Sequence, residues 1–530
     1  MKGGKRPAET VLSLSLLCFF LFTALAPVAA MFSRVTPESF RATVFSPHFP
    51  VALKNSLTAG LGASLISLSL GMLAAWCVER VELRGKAFFS AVFVAPMLLP
   101  SISHSFGLIA LFGANGLITK SLGLRSNVYG LPGIIAGSVM YSFPLAFVML
   151  SDALRREDAL PHQAALVLGV PPFRRFLGLT LPHLGRAAFA AFFAVFAMVV
   201  TDYGVPLMIG GQRLTLSVLM YNKAAVLGDY GAGSVIGAFL LLPAVAVFLS
   251  DFLSPSRERF AVSAEPVTPK GGTARKRAAG LFCALLCVLI LAPLLSFFIM
   301  AFETKYPLNS APTLAHIRKA LSAGTGYYLL HSLLYASLAS VFGVSIAFLC
   351  AYFTARLNAP FGKILRLLSL IPMAIPGVIL GLSYVIFFYK SDLYGTVEII
   401  ALANIVHFFS SPYLMMHNAL EKVNPDIEAA ASALGVGKCR AIWDLILPEV
   451  KDVLPEMGAY FFVNSMMTIS AVSFLAPPAP KPVALLIHQF EGQLLMESAA
   501  FVSLLIFTVN LLARFVTQVL GGAKTPEQTR

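Results

Sequence analysis

Along this chain, apolar runs long enough to cross a bilayer alternate with short stretches rich in Pro, Gly and basic residues. A helical crossing takes about 20 apolar residues. Runs of that kind fall near 8–31, 51–78, 87–113, 131–151, 187–210, 234–252, 279–302, 327–355, 364–388, 395–420, 453–476 and 497–520. Hydrocarbon offers no water to backbone N–H and C=O groups, so such runs must be helices. The pattern predicts an all-α polytopic membrane protein with about twelve transmembrane helices. The first run resembles a secretory signal, because Lys2, Lys5 and Arg6 precede an apolar stretch ending in Ala24, Ala26, Ala29 and Ala30. It is longer than the roughly 7–15 apolar residues of a signal. Its Leu25-Ala26-Pro27 also recurs as Leu291-Ala292-Pro293 inside the seventh run, so it is read as a retained span.

Composition agrees with the pattern. The 530 residues are 58% hydrophobic and 12% charged, against about 25% charged in a soluble domain. A soluble enzyme, a disordered chain and a disulfide-rich secreted scaffold are excluded. The net charge of +14 raises the question of a nucleic-acid partner. However, 27 of the 39 Lys and Arg residues fall in every second inter-span segment, starting with the N-terminus. That is the bias of cytoplasmic loops. It predicts both termini in the cytoplasm and accounts for the charge without nucleic acid. The six cysteines are scattered without metal-ligand spacing, and no metal site is predicted.

The runs fall into two related sets. Residues 253–278 interrupt the apolar rhythm with Pro255, Pro266, Pro269, Gly271, Gly272 and Arg275-Lys276-Arg277, and are read as a cytoplasmic linker. It joins a first six-span domain, 1–252, to a second, 279–530. Pro96-Met97-Leu98-Leu99-Pro100 recurs as Pro372-Met373-Ala374-Ile375-Pro376, and Asn55-Ser56-Leu57 answers His331-Ser332-Leu333 at the same offset of 276. Farther on, Ala153-Leu154 answers Ala419-Leu420 at 266. Six spans return the chain to its starting side, so the repeats are parallel and related by an axis along the membrane normal, where a solute route is expected.

The longest loop on the basic side repeats most closely. Gln163, Ala164 and Ala165 lead to Gly169 and then Leu181-Pro182; Glu428, Ala429, Ala430 and Ala431 lead to Gly435 and then Leu447-Pro448. From each glycine the later apolar positions lie at +7, +10 and +12 and the proline at +13. The pattern predicts a short Ala-rich helix ended by a glycine with φ > 0, then a second short helix. Alanines leave a narrow ridge that can enter a groove on a partner. An interfacial helix lying on lipid would also use one such loop, but two matched copies favour docking.

With these loops in hand, the chain resembles the fused two-domain permease subunit of bacterial binding-protein-dependent ABC importers. The resemblance covers essentially the whole chain, and the two loops resemble that family's Glu-Ala-Ala loop. The family glutamate is Gln163 in the first loop. In the second its position holds Ala429, with Glu428 one residue earlier. The resemblance implies a type I importer permease fold with two parallel six-helix repeats in the bacterial inner membrane. It implies that two copies of a cytoplasmic ABC ATPase seat on the loops, and that an external solute-binding protein delivers the solute. No cofactor is expected in this chain, ATP and Mg²⁺ belonging to the ATPase. Gly435-Val436-Gly437-Lys438 imitates a phosphate loop, but Ser432 stands where its first glycine belongs and Cys439 where Ser or Thr is needed.

For the solute, Thr201-Asp202-Tyr203-Gly204-Val205-Pro206 resembles permeases of the ferric iron, phosphonate and thiamine group. Ferric iron is the first choice, with thiamine, a phosphonate or a polyamine as alternatives. A charge in a span costs about 2.5–3.5 kcal/mol at its centre. Asp202 therefore either lines the pathway beside Tyr203 or caps the chain locally. His104, Tyr141, His407 and Asn464 are further polar candidates, each more simply read as packing. A secondary transporter driven by an ion gradient is the rival class; it would need several buried charges, and few are present. No paired carboxylates, HExxH or nucleophile elbow supports a membrane enzyme.

Overall fold

The computed structural model describes residues 7–123, 128–253, 267, 272–357, 361–476 and 481–520. Its first half contains α1 (Glu9–Phe32), α2 (His48–Arg80), α3 (Lys86–Leu98), α4 (Ser101–Ser121), α5 (Leu131–Arg155), the short α6 (Ala159–Val167), α7 (Pro172–Thr201) and α8 (Tyr230–Leu249). The second half repeats the order. It runs through α9 (Thr273–Phe302), α10 (Thr325–Ala355), α11 (Gly362–Ala374), α12 (Gly377–Phe388), α13 (Val397–His407), α14 (Ser410–Lys422), α15 (Asp426–Ala433), α16 (Val453–Met467) and α17 (Met496–Val519). Among the described residues nine helices are long and apolar enough to cross a membrane, or up to 11 if each of two bent pairs is one crossing. The only strands described, Glu303–Lys305 and Asn309–Pro312, pair as one antiparallel ribbon. The protein is an all-α, multi-pass membrane protein.

The apolar runs overestimate continuity at several places. The runs at 87–113 and 364–388 each break in two, the second by 106°. Pro100 and Pro376 lack an N–H and force the residue before them out of the helical region. Leu99 has φ −113°, ψ 142°, and Ile375 φ −105°, ψ 104°. The run at 395–420 bends by 52° between α13 and α14, where the ring of Pro412 would crowd the carbonyl of Phe408, four residues back. The run at 453–476 supplies a helix of 15 residues that stops at Met467.

Inside each half the long helices pack through small residues. Lipid tails give apolar helices no reason to leave them, so close backbone approach supplies the attraction. Along α2, Ala52, Ala59, Gly60, Ala63, Ser67, Gly71, Ala74 and Ala75 are buried in one stripe. That stripe meets α5 and α7, and Ser67 and Ser142 share a hydrogen bond of 2.9 Å across it.

The first helix of each half lies on the opposite half. Helix α1 packs along α10, α11 and α12. The Phe20 ring lies 4.8 Å from that of Phe409, and the Tyr384 hydroxyl donates to the Thr23 carbonyl at 2.8 Å. Helix α9 packs on α2, α3 and α4, with Phe297 stacked on Phe106 at 5.5 Å and Pro293 filling the space left by Gly107. The last helices bridge as well: Asn510 of α17 donates its amide to the Leu98 carbonyl at the first break, 2.9 Å away. Of the predicted linker, residues 254–266 and 268–271 lie outside the described residues. Its last residues, 273–278, already belong to α9, where Lys276 pairs with Glu82 and the Arg275 guanidinium sits 5.7 Å over the Trp76 ring.

Candidate functional site

Two loops repeat in the two halves, the first between α5 and α7 and the second between α14 and α16. In the first, Asp158 caps α6 by accepting from the Leu160 N–H at 3.0 Å. The helix closes with Val170 N–H bonding the Ala165 carbonyl and Gly169 N–H the Leu166 carbonyl, while Gly169 holds φ +70°. In the second, Val436 bonds Ala431, Gly435 bonds Ser432, and Gly435 holds φ +75°. This 6→1 and 5→2 pattern needs a left-handed residue, which glycine adopts without a Cβ penalty. After each glycine come a short helical turn and a π-turn, Phe176–Thr180 and Ile442–Ile446, and then Leu181-Pro182 or Leu447-Pro448. Every one of these elements repeats at an offset of 266.

The loops present apolar surface. Val167 is 88% exposed, Leu168 80%, Leu434 82% and Trp443 72%. Gln163 and Ala164 face outward beside the first pair, as do Ala429 and Ala430 in the second loop, while Ala165 and Ala431 turn toward the body. Single exposed apolar residues are ordinary; here they recur on both of the repeated loops.

An arginine ends α2 and another follows the end of α10, and each holds a loop against the body. Arg80, buried, pairs with Glu157 and donates to the Leu154 carbonyl at 2.7 Å; His162 Nε2 lies 2.8 Å from the other Glu157 oxygen. In the second half Arg356 donates from Nε to Glu428 at 2.9 Å and from Nη1 to the Val423 carbonyl at 2.6 Å, and Tyr352 donates to the other Glu428 oxygen at 2.8 Å. Glu428 is thus consumed within the chain. Burial of the Glu157 carboxyl acts to raise its pKa, but hydrogen bonds from Arg80, His162 and Thr180 outweigh this and hold it below the usual carboxylate range.

About 30 Å away, at 1.5 Å per residue along the 21 residues from Leu181 to Thr201, the chain leaves α7. Asp202 does not face an opening: its carboxylate accepts from the Val205 N–H at 2.8 Å and from Ser101, and caps the short helix Gly204–Ile209. Tyr203 does line a cavity of about 280 Å³ between the halves. Its walls include Ile102 and Tyr221 from the first half and Ser473, Lys481, His488 and Gln489 from the second. His104 and His407 serve the broken spans, bonding to the backbone of Pro96 and of Ile375. Tyr141 lies with its ring 5.8 Å from that of His104, and the Asn464 amide donates to the Tyr460 carbonyl of its own helix at 2.7 Å.

Comparison with known proteins decides the family. The family described as binding-protein-dependent transport system inner membrane component matches residues 67–258 and again 343–523. The chain belongs to that family. It is a fused permease with two copies of the domain. The ferric transport system permease protein FbpB of Actinobacillus pleuropneumoniae is 23% identical over 99% of this chain and 80% of its own length. A putative ferric transport system permease protein FbpB 1 of Haemophilus influenzae is 24% identical over 90% of this chain and 79% of its own. A probable sulfate transport system permease protein of Prototheca wickerhamii is 28% identical over 43% of this chain and 92% of its own.

Sequence reasoning passes over two parts of the permease. The Arg80 and Arg356 anchors carry a signal, because they stand 276 apart like the paired prolines. The cavity residues Lys481, His488 and Gln489 carry none, since nothing in the spacing shows that they face Tyr203 across the halves.

Proposed function

We propose that this permease is the membrane pathway of an ATP-driven importer in which two copies of a cytoplasmic ABC ATPase seat on the exposed ridges of α6 and α15. Both termini then lie in the cytoplasm, on the side of the basic loops. A solute-binding protein delivers at the opposite face, and the solute passes between the halves; ferric iron is the first candidate, on the strength of ferric relatives that match 90% and 99% of this chain. One observation carries the reading: two glycine-closed loops repeat at one offset, each exposing apolar surface and each tied by a buried arginine to a long span. A push on such a loop is delivered to α2 or α10. Gln163 and Ala429 carry no charge, and Glu428 is already engaged, so the ATPase contact here rests on shape and apolar surface rather than on an acidic anchor.

The test is the pair Gly169→Trp with Gly435→Trp. Nothing lies within 4 Å of a Cβ at either glycine, so the change strains the two turns and blocks the ridges without invading the core. Co-purification of the ATPase and ATP-dependent uptake of radioactive iron are expected to fall at least tenfold while the permease still accumulates in the membrane. Unchanged association and uptake would remove the docking role.

A further inference from the structure

Among the residues that line the cavity between the halves, Lys481 is a cationic side chain and His488 a titratable one. Lys481 forms no ion pair among the described residues. His488 stands near it on the same wall, 3.5 Å from Glu491, which is not part of the lining. Gln489 and the Tyr203–Tyr221 pair, whose hydroxyls share a hydrogen bond, add neutral polar groups, the Ser473 hydroxyl donates to the Ser470 carbonyl at 3.0 Å, and among the described residues no carboxylate lines the space. Among the described residues no group of three or more His, Cys, Asp or Glu could hold a metal ion. Hard, highly charged cations take carboxylate and other anionic oxygen ligands. An ammonium surrounded by neutral donors favours the opposite charge, because an anion there gains charge-assisted hydrogen bonds and relieves an unpaired Lys.

We infer that this cavity admits an oxygen-rich anion, and that iron carried by this permease crosses as an anionic complex rather than as a bare cation. Lys481 is the charge-selecting residue, with Gln489 and the free hydroxyl proton of the Tyr203–Tyr221 pair as neutral donors around it. The inference rests on the import reading and adds the chemical class of the solute. A free oxyanion and an anionic iron complex share this chemistry.

Charge-selective thiol labelling tests it on the full chain in proteoliposomes. Ser473→Cys places a thiol in the cavity wall, and the parent chain with its exposed Cys18 and Cys439 serves as the reference. A sulfonate-bearing methanethiosulfonate is expected to label Cys at 473 at least about fivefold faster than the trimethylammonium reagent, after correction for the reference. Adding Lys481→Met should abolish that preference, and Lys481→Arg should keep it. Slowing of the labelling by sulfate identifies a free oxyanion; slowing by ferric citrate alone identifies the anionic iron complex. Faster labelling by the cationic reagent, or a preference indifferent to Lys481→Met, would overturn the assignment. Labelling needs neither ATPase nor binding protein, so a negative result here leaves the loop-docking test independent.

Discussion

Arg80 and Arg356 each hold one of the two repeated loops against the body of the protein. Each is buried and bonded to both a carboxylate and a backbone carbonyl, so removing one partner strands a buried charge, at a cost of about 3–5 kcal/mol. Glu157→Gln is expected to lower the thermal unfolding temperature of the detergent-solubilised permease at neutral pH. The folded-state pKa of Glu157 lies below its unfolded value of about 4.3. Its contribution is therefore complete above that pH and is lost as pH falls through the folded value. The gap between wild type and Glu157→Gln should close on acidification below about pH 4; a gap that stays constant would show that the ion pair is not its source. Asp202 illustrates the opposite outcome at the same scale. Its charge catches the eye in the sequence, yet backbone N–H groups and Ser101 occupy its carboxylate, and the neighbouring Tyr203 is the one that reaches the cavity.

At the scale of elements, the broken spans set the geometry. A proline break in an apolar helix leaves carbonyls without intrahelical donors, and in a membrane these must find partners inside the protein. Asn510 on the last helix meets the Leu98 carbonyl, and His104 and His407 bond to the backbone of Pro96 and Ile375. Asn510→Leu keeps the number and branching of the side-chain heavy atoms and removes the donor. It should destabilise the permease by about 1–3 kcal/mol, the cost of a buried acceptor left unpaired, read as a lower resistance to denaturing detergent. No change would show that the Leu98 carbonyl finds another partner. The prolines at 96, 100, 372 and 376 marked the repeat in the chain, but the apolar runs read as continuous through them, and the bonding partners of the two breaks, hundreds of residues away, left no signal.

For the whole molecule, the exchange of first helices makes the halves mutually dependent. Phe20, Thr23 and the rest of α1 bury against the second half, and α9 buries against the first. Residues 1–252 expressed alone should be degraded or aggregate, because α2, α3 and α4 then lack α9 and α1 lacks its seat. Co-expression with 253–530 should restore a complex that co-purifies and supports uptake. Stable accumulation of the first half alone would contradict this interlocking.

The chain by itself determined the class of protein: apolar length demands helices in hydrocarbon, and periodic prolines, glycines and alanines mark the repeat and its loops. Those signals are local, since each depends on residues within one or two turns of one another. Tertiary structure alone decided that the first helices cross over, that Glu428 and Glu157 are held by distant arginines, and that Lys481 faces Tyr203 across a cavity. These are meetings between residues far apart in sequence, and in lipid they depend on close packing and hydrogen bonding between particular helix faces rather than on hydrophobicity, which every span shares.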